Sequence, residues 1–243
     1  MMIGFKIVHI YNKFLQYLGK RGVFENAPYP DPYTSFPQAK VFEENYNQIL
    51  DEYLSFLRLK LPQPTLIQLG LYGGNHRSNL PWNKDTTEKE EIPDWTTIIL
   101  KLGNKMIVKN LQYFPKTAEL LKEMPNVGNV FFSQLGPQAT INPHYGYLKG
   151  VLRYHLGIII PENNLCHLEV DGVCYYWKPG ESVVFDDMFL HAAYNKSNQT
   201  RVVLFIDFYR PLPFPYNWLN RQFLNLVSRS KFMKKAINKT NSF

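Results

Sequence analysis

Between residues 130 and 208 the chain is crowded with short β-rich runs, each bounded by Gly, Pro, Asn or Asp. Before residue 60 and after residue 214 apolar residues instead recur at helical spacing. Together these predict a mainly β protein with flanking helices, because many short strands bury their alternating faces by closing on one another into a jelly roll. At 243 residues, 45% of them hydrophobic, the chain is long enough for one large core, and it contains no internal repeat or low-complexity segment.

Taken in order, residues 1–25 read as an amphipathic helix ended by Gly22, and the proline-rich 26–37 cannot continue it. Residues 1–35 are therefore expected to form an arm and linker. Over 39–57, Phe42, Tyr46, Ile49, Leu50, Tyr53, Leu54 and Leu57 mark a single helix that packs on a core. Residues 70–91, with Gly73-Gly74 and a charged run over 84–91, are expected to form an exposed loop. A strand follows at 95–102, then a short helix over 115–124 with Thr117 near its start and Leu120 and Leu121 on its buried side. Strands are predicted at 130–135, 151–160, 166–170, 173–177, 182–185 and 202–208. Asp171-Gly172 signals a two-residue hairpin that sets Glu169 opposite Cys174, so Cys166 points to the other sheet face and no disulfide is expected. The organisation is then one domain over 36–213 with a basic helical tail over 214–243.

The formal charge is +7, and its bases gather at the ends: Lys6, Lys13, Lys20 and Arg21, then Arg221, Arg229, Lys231, Lys234, Lys235 and Lys239. No apolar run approaches the roughly 20 residues that cross a bilayer. Such ends either lie on an acidic membrane surface or are ordinary solvated helices. Without a cysteine framework or a cleavable signal pattern, a cytoplasmic, reducing location is expected, with peripheral membrane contact as an option. Nucleic acid is not an expected partner, since neither a basic-aromatic sheet signature nor zinc-finger spacing is present.

Chemistry concentrates between Ser133 and Arg201. His144 and His191 lie on separate strand-like segments, forty-seven residues apart, too far for a local zinc knuckle but suited to a site closed by folding. Either histidine alone is as readily a hydrogen-bonded core or surface residue. Together with Arg201 they suggest a mononuclear Fe(II) centre with open positions for a chelating co-substrate and O2. Arg201 enters an apolar strand and needs a partner: a salt bridge at the strand end, or the distal carboxylate of 2-oxoglutarate. Ser133 either adds a hydroxyl to that grip or is an ordinary strand serine. Arg153 and His155 alternate along one strand and share a face, which either looks into a barrel that needs an anion or outward to solvent.

The ordered motifs FPQAKVFEENY from Phe36, PKTAELL from Pro115, FFSQLGPQATINPHYG from Phe131, GVLRYHLGIIIP from Gly150, VDG from Val170, WKPGE from Trp177 and FDD from Phe185, with His191 and Arg201 following, cover about residues 36–213. This stretch resembles the aspartyl/asparaginyl β-hydroxylases, Fe(II)/2-oxoglutarate dioxygenases with a double-stranded β-helix core. The resemblance implies His144 and His191 as iron ligands, Arg201 and Ser133 as holders of the 2-oxoglutarate side-chain carboxylate, and Arg153 and His155 near its other end. It also implies Asp187 as the acid that orients a water at the iron and Trp95 as a lining of the co-substrate pocket. The familiar facial triad has a carboxylate two residues after its first histidine; here that place is Gly146, a vacancy the family also shows.

The implied reaction consumes O2 and 2-oxoglutarate, yields succinate and CO2, and hydroxylates a C–H bond. Peptide-directed members carry a second arginine two places before the equivalent of Arg153, where this chain has Val151. GVLRYHLG, VDG and the later RPLPFPYNWLNR look closer to bacterial members that include the lipid A acyl-chain hydroxylases. The substrate expected is thus a protein Asp or Asn side chain or a lipid acyl chain. A non-catalytic jelly-roll binding module and, through the missing carboxylate, a halogenase stand as alternatives.

Overall fold

The computed structural model describes residues 2–71 and 94–243. The loop expected over 70–91 therefore lies, beyond Leu71, outside the described residues. Those residues fold into two antiparallel sheets. The larger orders as β2 (Lys105–Met106), β1 (Trp95–Leu102), β3 (Val127–Leu135), β10 (Arg201–Tyr209), β5 (Val151–Ile159) and β8 (Ser182–Phe185). The smaller orders as β4 (Thr140–His144), β9 (His191–Asn195), β6 (Cys166–Val170) and β7 (Val173–Tyr176).

Alternation on the strands of the larger sheet creates two apolar faces. One face, with Phe132, Tyr154, Leu204 and Ile206, is covered by α3 (Ala39–Glu44), α4 (Tyr46–Arg58) and α7 (Pro115–Lys122) through Phe42, Ile49, Tyr53 and Leu121. The other face meets the smaller sheet, where Leu135, Val183, Phe185 and Val203 pack on Ile141, Leu168, Val170 and Ala193. Two sheets closed face to face over this interior are the double-stranded β-helix that was expected, with the helices outside it.

The rest of that inner face is closed by α5 (Leu66–Leu69) and α9 (Lys231–Ser242), which set Leu66, Leu69, Met233 and Ala236 against Ile99, Phe131 and Phe205. The C-terminal stretch, expected as a basic helical tail, is helical, and α9 docks on the core. Apart from these, α1 (Met2–Lys20) and α8 (Tyr216–Ser228) pack antiparallel: Tyr11 stacks on Phe223 at 3.8 Å, its hydroxyl donates to Asn220 at 2.7 Å, and Phe14 meets Tyr216 at 6.1 Å. Leu15 and Leu18 anchor α1 on Leu212. No described helix is long and apolar enough to cross a membrane.

Several local features follow the expectations residue for residue. Asp171 and Gly172 both take positive φ, 52° and 79°, the two-residue turn whose twist matches the flanking strands, and Glu169 faces Cys174. Both cysteines are free, Cys166 buried and Cys174 exposed. Gly22 lies at φ 73° just past α1.

Two expectations need correction. The helix over 39–57 is two helices, because Asn45, at φ −101° and ψ 14°, turns its amide onto the Val41 carbonyl at 2.7 Å and closes α3 before α4 begins. The strand-like segments expected to carry His144 and His191 are β4 and β9, but their extents were not predicted: HAAYN has no β-branched residue and TINPH carries Pro143, so β4 is set by pairing with β9 and β9 by pairing with β4 and β6.

Candidate active site

Pairing of β4 with β9 sets His144 opposite His191, with ring centroids 4.1 Å apart. The register slips between Ile141 and His144, around Pro143, which has no N–H to give the ladder. Each ring is oriented by its own strand: Nδ1 of His144 donates to the Asn142 carbonyl at 2.8 Å and Nδ1 of His191 to the Phe189 carbonyl at 3.0 Å. A carbonyl only accepts, so both Nδ1 atoms carry a proton, and in the neutral ring Nε2 is the lone-pair atom. Burial, then His144 and Arg153, hold the His191 imidazole well below its usual pKa, and its Nε2 is buried with no partner. A neutral imidazole so fixed, with its outward nitrogen unsatisfied, is in the state a metal ligand requires, and the pair fits a divalent ion.

Beside the pair stands Asp187. The Gly146 N–H donates to the Asp187 carbonyl at 2.6 Å, and a Cβ placed on Gly146 would lie 2.1 Å from the Asp187 carboxyl carbon. The carboxylate of residue 187 thus fills the room a side chain two places after His144 would need. Burial raises the Asp187 pKa to about 6, with Asp207 and Asp186 adding to the rise and Arg153 and Arg210 opposing it. Oδ2 pairs with Arg153 at 2.9 Å, while Oδ1 is buried without a partner. Arg153 is further held by Asp207 at 3.0 Å and lies over the Phe205 ring at 4.3 Å. Both of its carboxylate partners come from the protein.

Arg201 differs. It is 1% exposed and has no acidic partner among the described residues. Its guanidinium lies 4.7 Å from the Trp177 ring and donates to the Ser133 carbonyl at 3.4 Å, its Nε is unpartnered, and burial lowers its pKa to about 10. The Ser133 hydroxyl accepts from the Trp95 indole at 2.9 Å. His155, between Trp177, Phe185 and Phe205 at 5.9, 5.0 and 5.2 Å, has both ring nitrogens buried and unpaired. Burial, then Arg201, Arg153 and His191, push its pKa well below the usual value, so it is neutral.

Ring contacts run from His191 to Phe185 at 5.7 Å, on to His155 and Trp177, and end at Arg201. Along this line His191 Nε2, both His155 nitrogens, Trp177 Nε1, Arg201 Nε and Asp187 Oδ1 are all buried without partners. Buried polar atoms are ordinarily hydrogen-bonded, so a cluster of exceptions marks room for a polar ligand, anionic at the Arg201 end. The arrangement brings together all eight residues singled out from the sequence: Trp95, Ser133, His144, Arg153, His155, Asp187, His191 and Arg201.

Sequence reasoning missed Trp177, the platform under Arg201, and Asp207, whose position opposite Arg153 in the β5–β10 register binds that arginine. An acid inside the apolar run LFIDF was the available cue. It also missed the buried trio of Asp186, Lys149 and Arg210, in which Asp186 pairs with both bases and so ties the segment after His144 to the turn between β8 and β9 that carries Asp187.

Residues 43–211 match the family described as aspartyl/asparaginyl beta-hydroxylase. The chain is 30% identical over 214 residues to ornithine lipid ester-linked acyl 2-hydroxylase of Rhizobium tropici, covering 88% of this chain and 71% of that protein. It is 31% identical over 185 residues to human aspartate beta-hydroxylase domain-containing protein 2, covering 71% of this chain and 44%, less than half, of the relative. Among solved structures, KdgF from Halomonas sp. aligns with a TM-score of 0.32 at 12% identity, over 50% of this chain and 86% of that one.

Proposed function

Because the chain belongs to the aspartyl/asparaginyl β-hydroxylase family, we propose that it is an Fe(II)- and 2-oxoglutarate-dependent dioxygenase that hydroxylates an unactivated C–H bond. The observation that carries this is Arg201. A guanidinium buried among Trp177 and Ser133 with no acid costs several kcal/mol unless an anion joins it. The distal carboxylate of 2-oxoglutarate supplies that anion, and its keto-acid end extends toward the histidine pair. His144 and His191 hold the metal, and Trp95 and Ser133 close the co-substrate pocket around the carboxylate. Neutral His155 offers a donor to the near carboxylate, and Asp187 orients a water through its unpartnered oxygen. Bound iron supplies the oxidising power with O2; the protein's part is to fix the ligands and keep the cavity dry.

The substrate favoured is a lipid acyl chain. Arg153 already satisfies itself with Asp187 and Asp207, and Val151 stands where a second cation would recruit an acidic side chain. A protein Asp or Asn is the competing substrate. Anaerobic binding of Fe(II) and 2-oxoglutarate, followed by succinate release with lipid and peptide panels, tests both. His144→Ala is expected to lose turnover, and Arg201→Lys to raise the 2-oxoglutarate requirement while keeping most of kcat. Absence of binding of both ligands by the parent protein overturns the reading in favour of a non-catalytic module; succinate released only with peptides overturns the acyl assignment alone.

A further inference from the structure

The ten Lys and Arg of residues 1–24 and 214–243 share those segments with no Asp or Glu, so the remaining chain, with 17 bases and 20 acids, is net negative. The positive charge thus belongs to the terminal helices, not to the jelly roll. On α1, Val8, Asn12, Leu15 and Leu18 are buried, yet Ile7, Ile10, Phe14 and Tyr17 form a second apolar row, 45, 67, 39 and 55% exposed. Lys6, Lys13 and Lys20 run alongside it at helical-neighbour spacing. On α8 the row containing Tyr216 and Phe223, which contact α1, continues to Leu219 and Leu226, 40 and 64% exposed. Since the helices are antiparallel and meet through Phe14–Tyr216 and, beside the row, Tyr11–Phe223, the exposed members lie next to one another as an apolar surface with lysines along its α1 edge.

We propose that this α1/α8 face docks on an anionic lipid bilayer. Apolar side chains beside a line of bases, with no acid on either helix, match the interfacial plane of such a membrane. A protein partner of mixed charge would leave the lysines unmatched, whereas an anionic leaflet meets every one of them. The face is also placed to matter for the site. Asn12 of α1 donates to the Tyr147 carbonyl at 2.9 Å and accepts from the Lys149 N–H at 3.0 Å, bracing the loop that leaves His144 and lays Gly146 on Asp187. Asn12 lies on the side of α1 opposite the exposed row, so docking leaves that loop one helix diameter, roughly 10 Å, behind the lipid surface. This deepens the acyl-chain reading by naming where that chain comes from, but its test does not depend on catalysis.

Full-length protein is sedimented with phosphatidylcholine vesicles with and without phosphatidylglycerol. The parent is expected to bind the anionic vesicles selectively. Lys13→Glu with Lys20→Glu, and separately Ile10→Asp with Leu226→Asp, should each weaken binding at least about tenfold, with unchanged circular dichroism and melting because all four side chains are exposed. Equal binding to both vesicle types, or variants that bind as the parent does, overturns the proposal. So does a dimer in size-exclusion chromatography that Ile10→Asp dissociates, since a second copy would then cover the face. If turnover of detergent-dispersed lipid survives while vesicle binding fails, the docking falls and the hydroxylase stands; selective binding without turnover leaves the docking in place and sinks the acyl assignment.

Discussion

Gly146 and Asp187 occupy what is chemically one position. With the carboxyl carbon 2.1 Å from where a Cβ at residue 146 would stand, a side chain there and the present place of the Asp187 carboxylate exclude each other. Gly146→Ala is therefore expected to push Asp187 off Arg153 and to destabilise the fold by about 1–3 kcal/mol, as overpacking does. Urea unfolding measures this, and in the Asp187→Ala background the same substitution should cost much less; additive costs would show that the two do not compete for space. The sequence carried half of this information. The glycine is visible two places after His144, but what fills its space comes from a residue forty-one positions later and is settled only by folding. Arg153 teaches the same lesson: its face on β5 followed from alternation, while its engagement by Asp207 depends on which strand pairs with β5.

At the level of elements, legibility tracked local preference. The strand at 182–185, with its paired valines, and the strand at 166–170, with its alternating apolar residues running into the Asp171-Gly172 turn, emerge where local pattern agrees with the final pairing. The segments carrying His144 and His191 read as strand-like, but with Pro143 in one and no β-branched residue in the other their bounds and register came only from facing each other. Helix α7 shows a third case. Its start was assigned from Pro115 and Thr117, but the cap comes from α4: the Glu52 carboxylate accepts from the backbone N–H groups of Lys116 and Thr117, and from the Thr117 hydroxyl at 2.7 Å. Pro115 at the first helical position needs no N–H partner, which leaves those two donors for the carboxylate. Glu52→Ala removes a cap and leaves Thr117, fully buried, without its partner. The expected loss is about 2 kcal/mol, read from denaturant midpoints, with Glu52→Gln recovering part of it. A loss confined to a few tenths would mean that water replaces the carboxylate at that helix end.

For the molecule as a whole, the basic charge and the hydrophobic closure fall on the same C-terminal segment. Residues 214–243 read from composition as a solvated or membrane-facing tail, and the bases are indeed on the outside. Composition does not reveal that Met233 and Ala236, 8 and 2% exposed, complete the core over Leu69, Ile99, Phe131 and Phe205. Phe205 in turn supports Arg153 and His155, so the end of the chain stands two contacts from the site. Deleting residues 229–243 should therefore act as a core deletion: it uncovers the inner face of β1 and β3 and costs on the order of 3–6 kcal/mol, a large share of a typical folding margin of about 5–15 kcal/mol. A lowered urea midpoint with increased dye binding to exposed apolar surface is the expected outcome, and weaker 2-oxoglutarate binding should accompany it through Phe205. Met233→Ala, which keeps every base, should reproduce about half of the destabilisation, whereas Lys234→Gln with Lys235→Gln, which keeps the packing, should reproduce none. If the charge variant melts early and Met233→Ala does not, the helix holds the fold by electrostatics, and the packing argument for the C-terminal segment fails.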